Sequence, residues 1–168
     1  HENRITHYLA VFNTEFTITE TRHYFPGGIA SSNYQLVVND IPINLGDNQT
    51  PPATPSFKNA LSSGDRATLA LAFFLAHLEE DRTLADKIVV FDDPFNSQDT
   101  FRRRQTVHEI AKVAKNCAQI IILSHDATFL KQVWDKAPSA ERVALFLADH
   151  RSQGSKIVLG DLERACEG

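Results

Sequence analysis

The chain has 168 residues, enough for one domain with a real core. A hydrophobic share of 42% with 23% charged residues is the profile of a soluble globular protein, and a formal net charge of −4 excludes a whole-surface attraction to nucleic acid, leaving only a local patch. No apolar run reaches the ~18 residues of a membrane span, and no secretory leader is read, so a cytoplasmic protein without a membrane partner is expected. Cys117 and Cys166 lie far apart without metal-ligand spacing, which fits reduced thiols. The chain starts at His1 and contains no methionine, so we expect a processed or excised portion of a longer polypeptide.

In chain order, Ile5, Tyr8, Leu9 and Phe12 recur at helical spacing, and residues 1–12 are expected to end a helix or coiled coil arriving from upstream. Residues 13–56 read as a β-rich segment and loop. A strand is expected from Phe16 to about Phe25, broken by Pro26-Gly27-Gly28. A second runs over Asn33–Val38, and a tight turn at Asn39-Asp40 leads into a third, Ile41–Leu45. The prolines of Gly46–Ser56 mark a loop.

Residues 57–168 read as an α/β layer: helix Ser63–Glu80, strand Lys87–Phe91, helix Thr100–Asn116, strand Ala118–Leu123, a helix from about Thr128 to Lys136, and a closing hairpin around Gly154. The first helix is apolar on most sides and expected to be buried, with Ala67, Ala70, Leu71, Phe74 and Leu78 on one face. The two strands show no alternation, as in a parallel sheet flanked by helices on both faces.

Two stretches carry chemistry. ALSSGDRATLALAFFLAHL, Ala60–Leu78, places a small polar turn at a helix start, where unpaired N–H groups and the dipole suit an anion such as phosphate. KIVVFDDPFNSQD, Lys87–Asp99, ends a buried strand in two carboxylates, suited to Mg²⁺ and to a water molecule. Taken alone, Ser62 and Ser63 read as helix caps and His125 as a structural histidine, and Asp99 has the alternative of capping the next helix. Arg102-Arg103-Arg104 reads as a solvated face or, alternatively, a contact for nucleic acid or a partner. Arg103 and His108 match an R-x4-H ribonuclease spacing only by count.

Together these stretches resemble the C-terminal lobe of an SMC-like, DNA-repair-type ABC ATPase head. LSSGD stands for the LSGGQ signature, KIVVFDDP for the Walker B strand, Asn96-Ser97-Gln98-Asp99 for the D-loop, and Leu123-Ser124-His125-Asp126 for the switch-histidine loop. PSFKNALSSGDRATLALAFFLAHL and DDPFNSQD also resemble the ATPase part of anticodon-nuclease-type bacterial defence proteins. The resemblance implies cofactors ATP and Mg²⁺, with Asp92 holding the metal through water. Asp93 and His125 would act on the attacking water and γ-phosphate. Ser62, Ser63, Gly64 and Asp65 would contact nucleotide on a second head, and Ser97 and Asp99 would line the head–head interface.

Two positions depart from the family. Asp93 replaces the usual glutamate and is roughly 1.5 Å shorter in reach. Ser63 replaces the second glycine. No G-x-x-x-x-G-K-[ST] occurs, so the expected ATPase needs a Walker A-bearing N-terminal lobe as partner, beside a second head in a homodimer; a nucleic-acid partner stays open. Two rival readings stand beside this one: a non-hydrolysing, ATP-gated dimerisation module, and a metal-dependent nuclease using Asp92, Asp93 and Asp126.

Overall fold

The computed structural model describes residues 1–24, 31–43, 51, 53–95, 97–137, 141–150 and 154–166. The expected break at Pro26-Gly27-Gly28, Leu45, most of the Gly46–Ser56 loop and Asn96 lie outside these residues. The chain divides into two compact units, His1–Ala85 with Pro94–Thr106, and Asp86–Asp93 with Val107–Gly168.

In the first unit, α1 (Glu2–Val11) packs against α3 (Ser63–Glu80) and against β1 (Phe16–Tyr24). Ile5, Leu9 and Phe12 are almost completely buried, as the helical spacing predicts. α1 runs antiparallel to α3: His1 Nδ1 lies 2.7 Å from Glu80 at the far end of α3, and the Tyr8 hydroxyl donates to Glu79. Three antiparallel strands follow in spatial order, β1, β2 (Ser31–Val38) and β3 (Ile41–Ile43). The β2–β3 turn falls on Asn39 and Asp40, with φ of 49° and 63°. Two successive positive φ angles make a hairpin turn whose twist suits the strands, and Asn and Asp tolerate it best among residues with a Cβ. α2 is the short helix Phe57–Ala60, started by a Ser56–Asn59 capping box.

Leu71 and Leu78 of α3 are buried as expected, but the rest of the buried face differs: Thr68, Leu69, Ala72, Leu75 and Ala76 complete it, whereas Ala70 is exposed and Phe74 is at the surface. Thr68 can occupy the core because its hydroxyl donates to the Gly64 carbonyl at 2.8 Å, which removes the cost of burying it unpaired. α4 (Thr100–Ala114) begins in this unit.

In the second unit, β4 (Ile88–Asp92) and β5 (Gln119–Leu123) pair in parallel, Ile88 with Gln119 through Asp92 with Leu123. The parallel sheet is as expected, and its two sides differ in exposure among the described residues. Val89 and Phe91 are buried, while Ile88, Val90, Ile121 and Leu123 are 38–59% exposed. Alternation puts those four on the same side. α5 (Ala127–Trp134) packs against α6 (Leu162–Cys166). The hairpin of β6 (Leu145–His150) and β7 (Gly154–Leu159) pairs Leu145 with Leu159 and Leu147 with Ile157, all four well exposed.

Candidate functional site

The turn Leu61–Asp65 is held by its own side chains. Ser62 caps α3: its Oγ accepts from the Asp65 N–H at 3.1 Å and donates to Asp65 Oδ2 at 2.7 Å. The Ser62 N–H donates back to the same carboxylate oxygen at 3.2 Å, completing a capping box. The cap alternative for Ser62 is thus realised. Ser62 and Ser63 remain exposed, so the outer side of the turn is open. Partial burial raises the pKa of Asp65, but hydrogen bonds from Ser62 and Arg102 outweigh it and hold the carboxyl below its ordinary value. The stability this lends is full above the unfolded carboxylate's pKa and is lost as pH falls through the lower folded value. Ser62→Ala is expected to cost about 1 kcal/mol of unfolding free energy, read from the urea midpoint at constant m.

Gly64 is buried against the backbone of Ser97. A Cβ placed there would lie 2.4 Å from the Ser97 carbonyl oxygen. The missing Cβ permits close backbone approach here, and the backbone it admits belongs to Ser97. Ser97 itself has φ 61°, a region that costs an L-residue about 1–2 kcal/mol. Gln98 secures the segment: Nε2 reaches the buried Thr68 hydroxyl at 3.4 Å, and Oε1 accepts from the buried Thr106 hydroxyl at 2.9 Å. Asp99 accepts from the Arg102 N–H at 2.9 Å and so caps α4.

Asp92 ends β4, exposed, on the open side with Ile88 and Val90. Asp93 follows at φ 41°, anchored by its N–H to the Leu123 carbonyl at 2.9 Å. That bond ties the ends of β4 and β5 together and brings Asp93 Oδ2 to 3.0 Å from His125 Nδ1. Hydrogen bonds from His125 first and Ser124 second lower the Asp93 pKa, so it is a carboxylate at neutral pH. A carboxylate only accepts, so Nδ1 carries the proton and Nε2 faces outward on a ring that is 76% exposed. The other Asp93 oxygen, Oδ1, is buried and makes no well-formed hydrogen bond.

Asp126 is the N-cap of α5, accepting from the Phe129 N–H at 2.9 Å. Among the described residues no three His, Cys, Asp or Glu side chains cluster to hold a metal. Mg²⁺ is commonly held by one or two carboxylates, water and substrate phosphates, so Asp92 beside Asp93 fits that mode and not an all-protein cage.

Three residues that matter here escaped the sequence reading. Thr68 and Thr106 carry no motif of their own, Gln98 stands inside the Asn96–Asp99 motif without a role assigned to it, and only the i, i+4 spacing of Gly64 and Thr68 hinted at a buried hydroxyl. The arginine run is neither a uniformly solvated face nor an outward patch. Arg102 is 15% exposed and paired with Asp65, the Arg103 guanidinium lies 4.7 Å from the Phe95 ring centroid, and only Arg104 is exposed.

A family described as an AAA domain matches residues 53–164. No curated protein matches the chain. Among solved structures, the fold is similar to a chain from work on the ATP-driven dimerisation and DNA-stimulated activation of SMC ATPases, with TM-score 0.61 and 16% identity, covering 99% of this chain and 86% of that one. It is also similar to the Smc head domain with a coiled coil and joint from Pyrococcus yayanosii, with TM-score 0.62 and 15% identity, covering 99% and 28%. An Smc head bound to the C-winged helix domain of ScpA aligns at TM-score 0.60 and 17% identity, covering 99% and 44%. The chain belongs to the AAA domain family, and its fold is that of the C-terminal lobe of an SMC-like ABC ATPase head.

Proposed function

We propose that this lobe binds and hydrolyses ATP once joined to a Walker A-bearing N-terminal lobe, in heads that dimerise around MgATP. The observation that carries this reading is the Asp93–His125 pair, 3.0 Å apart at the ends of two adjacent parallel strands. The end of a parallel strand is where open α/β sheets place their ligands. Asp93 orients the attacking water and takes its proton, and His125 holds Asp93 in place through its Nδ1–H while its exposed Nε2 faces the attacking water as an acceptor. Asp92 would hold Mg²⁺, which when bound would supply positive charge to the transferring phosphoryl group. The Leu61–Asp65 turn serves the nucleotide of the second head, and Ser97 and Asp99 lie along the head–head interface.

The N-terminal lobe covers the open apolar side of β4 and β5. An exposed apolar patch of this kind marks a binding surface, and each of these half-exposed side chains contributes roughly 1 kcal/mol when covered. The task served is nucleic-acid-linked, in repair or phage defence, within the cytoplasm.

Calorimetry tests the reading directly. The lobe alone is expected to bind ATP with a Kd weaker than about 0.1 mM, and the protein carrying both lobes to bind at micromolar Kd and turn over ATP only with Mg²⁺. Micromolar binding by the lobe alone would overturn the division of the site. Ile121→Lys is expected to weaken association of the two lobes by about tenfold or more.

A further inference from the structure

We infer that Arg102 is a positioning residue of the signature turn, whose task is to neutralise and hold the Asp65 carboxylate so that the turn can accept the triphosphate of a second head. The inference rests on the ATPase reading above. Its basis is a problem of charge. The turn proposed to meet a phosphate carries a carboxylate of its own at Asp65, and two anions at one site repel unless a cation lies between or beside them.

The structure supplies that cation from α4. Arg102 Nη1 lies 2.7 Å from Asp65 Oδ1, its Nε donates to the Phe12 carbonyl at 3.3 Å, and the same Nε is 3.5 Å from Asp99 Oδ2. One guanidinium thus joins the signature turn, the start of α4 and the end of α1. The Arg102 and Asp65 side chains are 15% and 24% exposed, and both line a cavity of about 280 Å³ with Leu61, Asp99, Asn13 and Glu15. Part-burial sets this pair apart from an exposed surface ion pair.

Geometry explains the division of labour within the carboxylate. Oδ1 is taken by Arg102, and Oδ2 by the Ser62 amide and hydroxyl. Because a carboxylate is planar, holding Oδ1 fixes where Oδ2 points, and so fixes the Ser62 side chain. The Ser62 hydroxyl has one proton, and it is donated to Asp65. To donate to a phosphate, Ser62 must release Asp65, and Arg102 then retains the carboxylate and its charge.

The test is ATP-driven head association in the protein that carries both lobes. Arg102→Gln is expected to weaken association about tenfold or more while leaving ATP affinity of the undimerised head within about twofold. Asp65→Asn added to Arg102→Gln is expected to restore association to within about threefold of Asp65→Asn alone, because the charge that needed neutralising is gone. A purely structural arginine would not be rescued this way. If Arg102→Gln does not fold, the double variant is read against Asp65→Asn alone, and a further loss of about tenfold overturns the inference. Unchanged association in Arg102→Gln, or a double variant no better than Arg102→Gln, also overturns it. No ATP-driven association in the unmutated protein overturns the ATPase reading and this inference together.

Discussion

Asp93→Asn is expected to lower ATP turnover by about 10²–10⁴-fold while leaving ATP binding within about twofold, in the protein that carries both lobes. The substitution is chosen because it spares everything except the charge. Asn has the same shape and is among the few residues at ease with the positive φ of 41° found at this position. The backbone bond from residue 93 to the Leu123 carbonyl is unaffected. What is lost is the acceptor-only carboxylate, so the amide can neither take a proton from water nor hold the His125 Nδ1 proton as firmly. The partners that lower the Asp93 pKa keep it ionised through the neutral range, so its protonation limits turnover only at acid pH, below the ordinary carboxylate value. His125→Ala should lose most of the same rate. If the two residues act as a unit, the double variant will be no slower than the slower single one. Single-turnover hydrolysis together with equilibrium nucleotide binding decides the matter, and an unchanged rate in Asp93→Asn removes that residue from its role.

Gly64→Ala is expected to destabilise the protein by about 1–3 kcal/mol and to slow turnover. Alanine is the better helix former by up to about 1 kcal/mol, so a bland position would show a gain in stability. Here the added Cβ meets the Ser97 carbonyl oxygen at 2.4 Å and the carbonyl carbon at 3.3 Å. These are backbone atoms, which cannot swing aside as the tip of a long side chain can. Ser97 is already at φ 61°, and Gln98 beyond it is tied to Thr68 and Thr106, so relief has to come from moving the Ser97–Gln98 segment as a whole. Urea unfolding of the alanine variant measures the cost. A midpoint equal to or above that of the unmutated protein would show that Gly64 and Ser97 are not packed this closely.

Much of this was legible in the residues. The helix at Ser63–Glu80, the Asn39-Asp40 turn, the parallel pair of strands and the closing hairpin all appear where periodicity and turn chemistry put them. Such features depend on local preferences, which neighbours in sequence suffice to express. The face of α3 was not legible, because a helix with apolar residues on most sides offers no single stripe. Packing turned Leu71, Leu75 and Leu78 inward together with Thr68, a polar residue that the core admits because the Gly64 carbonyl accepts its hydroxyl.

The same contrast holds for the site. By itself the sequence determined which chemistry was on offer: two carboxylates after an apolar strand, a small polar helix start, and a histidine after a second apolar strand. Only the tertiary structure decided who meets whom. Asp93 pairs with His125 across 32 positions of sequence, Asp65 with Arg102 across 37, and Gly64 lies under the carbonyl of Ser97. Hydrogen bonds and ion pairs act over about 3 Å, and spacing along a chain says nothing about such distances once the chain has folded back on itself. For that reason an arginine that reads as one of three charges on a helix becomes, in the fold, the partner of Asp65 at the start of α3.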